Sequence, residues 1–233
     1  MKQGYFAVNE LIREFGALIG TELANISSVL TVNNNEIEAK AFIKLAIAQI
    51  LDDSFKYNIP ELLQDLPINY EEAYVTRQKV EFLPFADNIR LFKPYKVTAK
   101  NINLKEATLE GLVDGCDTYK YSWNQNGICL FEPLSASVKP DIRVLAFTYS
   151  HYYKEDTKNL NQARDLVLGK DFIDDGSEYI AIDAEWLLTA LCLVYGKSDV
   201  SHSDLLATYA ERYQRILQNK LNTTTEFVSF KEV

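Results

Sequence analysis

The chain has 233 residues, 47% hydrophobic and 24% charged, enough apolar material to bury one core or two smaller ones. Its formal net charge of -9 argues against binding to phosphate backbones, which asks for a basic face, and no apolar run of about eighteen residues offers a membrane span. The start, Met1-Lys2-Gln3-Gly4-Tyr5, lacks the charged-then-apolar layout of a secretory signal, so the protein is expected to stay where it is made.

Residues 6 to 20 place Phe6, Leu11, Ile12, Phe15, Leu18 and Ile19 at spacings of three and four, which predicts a first amphipathic helix. Asn33-Asn34-Asn35 supplies side-chain acceptors for exposed helix amides, and a second helix is predicted over Glu36 to Leu51, ending near Asp52-Asp53. Its apolar face is wide (Ile37, Ala41, Phe42, Leu45, Ile47, Ala48), so it needs cover on more than one side, from its own domain or from a neighbouring subunit. Pro60 and Pro67 bracket a short helical segment, Glu61 to Leu66.

From Tyr74 to Tyr153 the apolar period becomes two, which predicts a small antiparallel β unit. Asn124-Gln125-Asn126-Gly127 places Asn-Gly where a tight hairpin needs positive φ, so Tyr119 to Trp123 should pair with Gly127 to Phe131. After Lys139-Pro140, Ile142 to Tyr153 reads as one long strand. The acidic turn Asp171-Phe172-Ile173-Asp174-Asp175-Gly176 then leads into a helix hairpin that starts near Ile182, breaks at Gly196 and resumes at Ser203. In the tail, Asn222-Thr223-Thr224-Thr225 ends the last helix, and Glu226 to Val233, with Phe227, Val228 and Phe230, is β-prone; it folds back on its own β unit or adds to a partner.

The order helices, β meander, helices predicts a segregated α+β fold: a helical bundle from the N- and C-terminal helices with an inserted small antiparallel β unit. The implied parts are 1–73 (helical), 74–153 (β), 154–221 (loop and helix hairpin packing with the first helices) and 222–233 (docking tail).

Chemistry is sparse. The chain has no dinucleotide or phosphate-loop glycine pattern, no G-x-S-x-G and no H-E-x-x-H. His151 sits among Tyr149, Tyr152 and Tyr153 and reads as structural; His202 reads as a solvated residue at the start of the last helix. Cys116, Cys129 and Cys192 are odd in number and lack CxxC spacing, so they read as reduced packing residues, with a Cys116–Cys129 bridge geometrically open. Asp171, Asp174, Asp175 and Glu178 are the best candidates for a metal site. They fail the calcium-loop template, because Ile173 and Ile182 fall where oxygen ligands are required, and the blander reading is a turn that favours the next helix through its dipole. No catalytic residue, cofactor site or metal site is assigned.

Arg143 to Tyr149, Asp171 to Ile180, Glu185 to Leu191 and Tyr209 to Leu217 together resemble the head-to-tail connector (adaptor, or ring) proteins of tailed bacteriophages. Lys79 to Pro84 and Gly127 to Phe131 also look like the β region of the tail gatekeeper proteins of short-tailed phages. The resemblance covers most of the chain by layout and is specific from about Arg143 onward. It implies a non-enzymatic virion protein of the neck, made in the host cytoplasm: a homo-oligomeric ring, usually a dodecamer, under the portal protein and above the next tail or ring protein. Packaged DNA would pass through without sequence-specific contact, and no membrane is involved. On this reading Phe227, Val228 and Phe230 dock the portal, while Phe172, Ile173, Ile37 and Phe42 serve subunit interfaces. Two other classes stay open: a generic interaction module or other virion protein without ring assembly, and a divalent-ion enzyme built on the acidic turn.

Overall fold

The structure is a computed structural model that describes residues 7–75, 80–86, 91–100, 102–107, 120–131, 141–148, 152–155, 164–166, 179–180 and 182–229. The fold is α+β, and the chain divides into two units: Met1–Glu61 with His151–Val233, and Leu62–Ser150. The sequence places the first boundary at 73/74; the chain places it after Glu61, because β strands begin sooner than the period-two pattern shows.

In the first unit, α1 (Val8–Ile19) buries Val8, Leu11, Ile12 and Phe15, the three-and-four spacing that the sequence carries. Glu10 accepts from the Ala7 N–H at 3.4 Å at its start, and Gly20 ends it in the left-handed region with φ 72°. Next come β1 (Val29–Val32) and β2 (Asn35–Glu38), an antiparallel hairpin with Val32 opposite Asn35. The expected helix-capping asparagines are instead its two-residue turn: Asn33 and Asn34 have φ 50° and 62°, the doubly left-handed turn that suits strand twist. Consequently α2 (Ala39–Lys56) begins three residues later and runs further than expected, burying Ala39, Phe42, Ile43, Ala46, Ile47, Ile50 and Leu51.

The second half of this unit contributes α3 (Ala184–Ser198) and α4 (Ser203–Ser229), joined through a 3-10 turn at Val200–His202. Asp183 caps α3 by accepting from the Trp186 N–H at 2.9 Å. Arg212 pairs with Glu185 at 2.9 Å, whereas Gly196 lies against Leu206, so the two helices run antiparallel. Gly196 is therefore no helix break. It sits inside α3, and a Cβ there would meet the Leu206 Cα and N at 2.9 Å, so glycine lets the backbones approach. The Tyr195 ring meets Phe15 of α1 and Phe42 of α2 edge-on, each at 5.5 Å, which ties three helices to one aromatic centre. At the other end of α3, Lys220 of α4 lies 4.9 Å from the centre of the buried Trp186 ring and reaches Glu61 at 2.6 Å.

The tail is corrected as well. α4 continues through Thr223–Ser229, so Phe227 and Val228 are on a helix rather than an extended strand. Phe230 to Val233 lie outside the described residues.

The second unit holds β3 (Leu63–Leu66), β4 (Tyr74–Val75), β5 (Glu81–Pro84), β6 (Leu91–Ala99), β7 (Ile102–Asn103), β8 (Lys105–Glu106), β9 (Lys120–Asn124), β10 (Gly127–Leu130) and β11 (Ile142–Thr148). They form two sheets, β3-β11-β6-β7 and β4-β5-β10-β9-β8, antiparallel throughout except for the β8–β9 pair. Leu83, Leu91, Val97, Ile128, Leu130, Val144 and Phe147 are buried; strict alternation is lost in β6 and β11, whose pairing shifts register between Leu145 and Ala146 and between Phe147 and Thr148. Pro60–Leu62 is a single 3-10 turn and the expected helix after it is β3.

The predicted hairpin forms in register, Ile128 opposite Trp123 and Cys129 opposite Ser122. Its turn, however, is Gln125-Asn126, neither at positive φ, and Gly127 is the first strand residue. A Cβ on Gly127 would lie 2.5 Å from the Leu83 carbonyl oxygen of the neighbouring strand, so closeness explains this glycine. Of the expected long strand, Ile142–Thr148 is β11, whereas Tyr152 and Tyr153 belong to β12 (Tyr152–Glu155) in a different, small antiparallel sheet of the first unit with β13 (Arg164–Leu166) and β14 (Tyr179–Ile180), ordered β13-β12-β14; residues 149–151 lie outside the described residues.

Candidate interaction surfaces

The expected interface residues fare unevenly. Phe42 is 2% exposed and packs on Tyr195 of its own chain, so it has no surface to give a neighbour. Ile37 is half-buried on β2, opposite Leu30, rather than on the helix face where its spacing from Ala41 suggests. Of the wide α2 face, Leu45 is 54% exposed, Ala41 and Ala48 are half-buried, and Phe42 and Ile47 are buried. Phe172 and Ile173 lie outside the described residues, as do the carboxylates Asp171, Asp174, Asp175 and Glu178, His151 and Cys116.

Titratable groups in the helical unit are tied into its packing. The Tyr213 hydroxyl of α4 donates to the Asp53 carboxylate of α2 at 2.8 Å, and the Gln49 side-chain amide donates to the same oxygen at 2.8 Å. Burial, then the Asp53 charge, push the Tyr213 hydroxyl well above its ordinary range. Burial likewise pushes the Cys192 thiol up to about 12, so it stays protonated and unreactive at neutral pH. His202, expected to be solvated, is half-buried and stacks on Tyr195 with ring centres 4.2 Å apart.

Asp199 binds the connection between α3 and α4 to the β1–β2 turn. Its carboxylate accepts from the Ser201 N–H at 2.9 Å, the Asn33 N–H at 3.1 Å and the Ser201 hydroxyl at 2.9 Å, while the Asn33 amide donates to the Ser198 carbonyl at 2.9 Å. Those donors, the Ser201 N–H foremost, hold the carboxyl below its usual value. Spacing could not reveal this contact, which joins residues at opposite ends of the chain.

An open groove of about 580 Å³ lies beside the end of α1, lined by Arg13, Gly16, Gly20, Thr21, Glu22 and Leu23. Among the described residues no group of three or more His, Cys, Asp or Glu could hold a metal ion, and no helix is long and apolar enough to cross a membrane.

What the described surface does offer is exposed apolar side chains in two sets. Leu18, Val29 and Leu45 belong to the helical unit; Tyr74, Val75, Tyr95 and Ile102 belong to the β unit. Tyr74 and Val75 are 57% and 56% exposed on β4, an edge strand, and follow the exposed Glu71 and Glu72. Their sequence signal is an apolar pair one residue after two acids, with Ala73 between, which the period-two pattern absorbs into the β unit without marking it as an edge.

No family model and no curated protein matches the chain.

Proposed function

We propose that the chain is a structural subunit of a phage head-to-tail connector: a ring of copies that sits between the portal and the next tail component and continues the DNA channel. The observation that carries this reading is the layout of the chain, in which α1 and α2 from its start and α3 and α4 from its end share one unit while Leu62–Ser150 forms a second as an insertion. Exposed Leu18, Val29 and Leu45 give the helical unit apolar surface for neighbouring copies, and the net charge of -9 suits a channel protein that does not hold DNA. A head-to-tail ring uses two different faces per subunit, so these residues and β4 can serve different contacts. The portal-docking element becomes the last turns of α4, a helix presented to a groove rather than an added strand.

Negative-stain imaging and light scattering of the purified chain, alone and mixed with the portal protein, test the assignment. Closed rings of uniform copy number, or rings that appear once portal is added, are the expected result. A monomer under both conditions that fails to co-elute with portal would overturn it.

A further inference from the structure

We propose that β4 is a strand-addition site, which takes an extended segment of a partner carrying two adjacent apolar residues followed, after one spacer, by two basic residues. Sheet edges differ in how they are protected. β8, the opposite edge of the same sheet, carries exposed Lys105 and Glu106, the charged guard that deters pairing. In the other sheet, edge strand β3 presents Gln64 and Asp65, and Asp65 is engaged by Arg143. Neither of the two β4 residues carries such a guard. Its two residues are Tyr74 and Val75, both more than half exposed, and no strand lies on its outer side among the described residues.

The geometry of the edge fixes the kind of occupant. β4 pairs antiparallel with β5, Tyr74 opposite Phe82 and Val75 opposite Glu81. In an antiparallel ladder successive residues alternate in the side to which their N–H and C=O point, so one of these two residues aims both groups away from β5. Another extended backbone is the natural complement to such groups. The Tyr74 ring lies 5.3 Å from Phe82 on one face, and Val75 belongs to the other, so an incoming strand meets an apolar side chain on each face. Just upstream, the Asn69 side chain accepts from the Glu71 and Glu72 N–H groups, which fixes a short turn and leaves both carboxylates exposed at the end of β4. A strand running antiparallel to β4 meets Val75 first, then Tyr74, then Ala73, then the two carboxylates. The matching order is apolar, apolar, spacer, basic, basic. Because β4 is short the complex is weak, of the transient class, and electrostatics sets its specificity. This site does not depend on ring assembly, so it can fail while that reading stands.

The test is fluorescence anisotropy of the full chain with a labelled peptide, Gly-Ser-Val-Tyr-Ser-Lys-Lys-Ser-Gly, and with a scrambled peptide of the same composition. Saturable binding of the ordered peptide, weaker by about tenfold for the scramble and lost in Val75→Lys, supports the site. The double variant Glu71→Lys with Glu72→Lys, which leaves the apolar pair intact, should also lose binding. Equal binding of the two peptides, or binding unchanged in Val75→Lys, would show only an acidic surface attracting a cation and would overturn the proposal, as would no binding at all.

Discussion

Asp199 shows how one exposed carboxylate can hold distant segments together. Three donors from Ser201 and Asn33 converge on it and keep its carboxyl below the usual value, with the Ser201 N–H the main cause. A depressed carboxyl contributes stability that is present above its unfolded value, near ~4, and is lost as pH falls through the folded value. Asp199→Asn should therefore lower Tm at pH 7, and the gap to the parent protein should narrow as the pH falls below about 4. A gap that stays constant across a pH series of thermal melts would show that the charge is irrelevant. Tyr213→Phe probes the buried counterpart, where the hydroxyl satisfies Asp53 inside the helical unit. Removing it while keeping the ring leaves a buried carboxylate short of a donor, which should cost about 1–3 kcal/mol in urea denaturation. An unchanged midpoint would mean that solvent replaces the hydroxyl.

At the scale of elements, Gly196 sets two effects of comparable size against each other. Alanine in a helix interior gains about 1 kcal/mol over glycine, whereas overpacking against a neighbour costs about 1–3 kcal/mol. Here the obstructing atoms at 2.9 Å are the Leu206 backbone Cα and N, which cannot rotate aside as a side chain can. Gly196→Ala should therefore destabilise, by denaturant titration, and a stabilised variant would mean that α4 slides away at little cost. The same residue shows what was legible in the sequence. Helices α1, α3 and α4 announce themselves by apolar spacing, and the place and register of the β9–β10 hairpin by its Asn124–Gly127 break, though not the turn's backbone conformation. Gly196 was not legible as a contact, because a glycine that ends a helix and one that admits a neighbour look alike until the neighbour is placed. Asn33-Asn34 is ambiguous for a related reason: asparagine both caps helices and tolerates positive φ. The end of α4 is a third case, where helix continues through Thr223-Thr224-Thr225 and Phe227-Val228 against β-leaning local propensity. As for the candidate surfaces, Phe42 was visible as apolar but its cover by Tyr195 was not, and the exposure of Tyr74 and Val75 depends on β4 being an edge, which is a property of the pairing order.

For the whole molecule, the decisive fact is that one unit is contiguous and the other is not. Leu62–Ser150 contains both partners of every strand pair in its two sheets and its own buried set, Leu83, Leu91, Val97, Ile128, Leu130, Val144 and Phe147. The helical unit needs α1 and α2 from the start of the chain and α3 and α4 from the end, so its Phe15–Tyr195 and Asp53–Tyr213 contacts close only after the insertion has been made. Contacts so far apart in sequence carry the larger loop-closure cost, and an insertion that folds first would reduce it by shortening the effective loop. The segment is also well above the ~40 residues below which a domain needs disulfides or metals to hold a core. Expressed alone, Leu62–Ser150 should give dispersed amide resonances and a single cooperative unfolding transition. A collapsed, poorly dispersed spectrum would mean that the insertion depends on the helical unit, and the order of folding would then be the reverse.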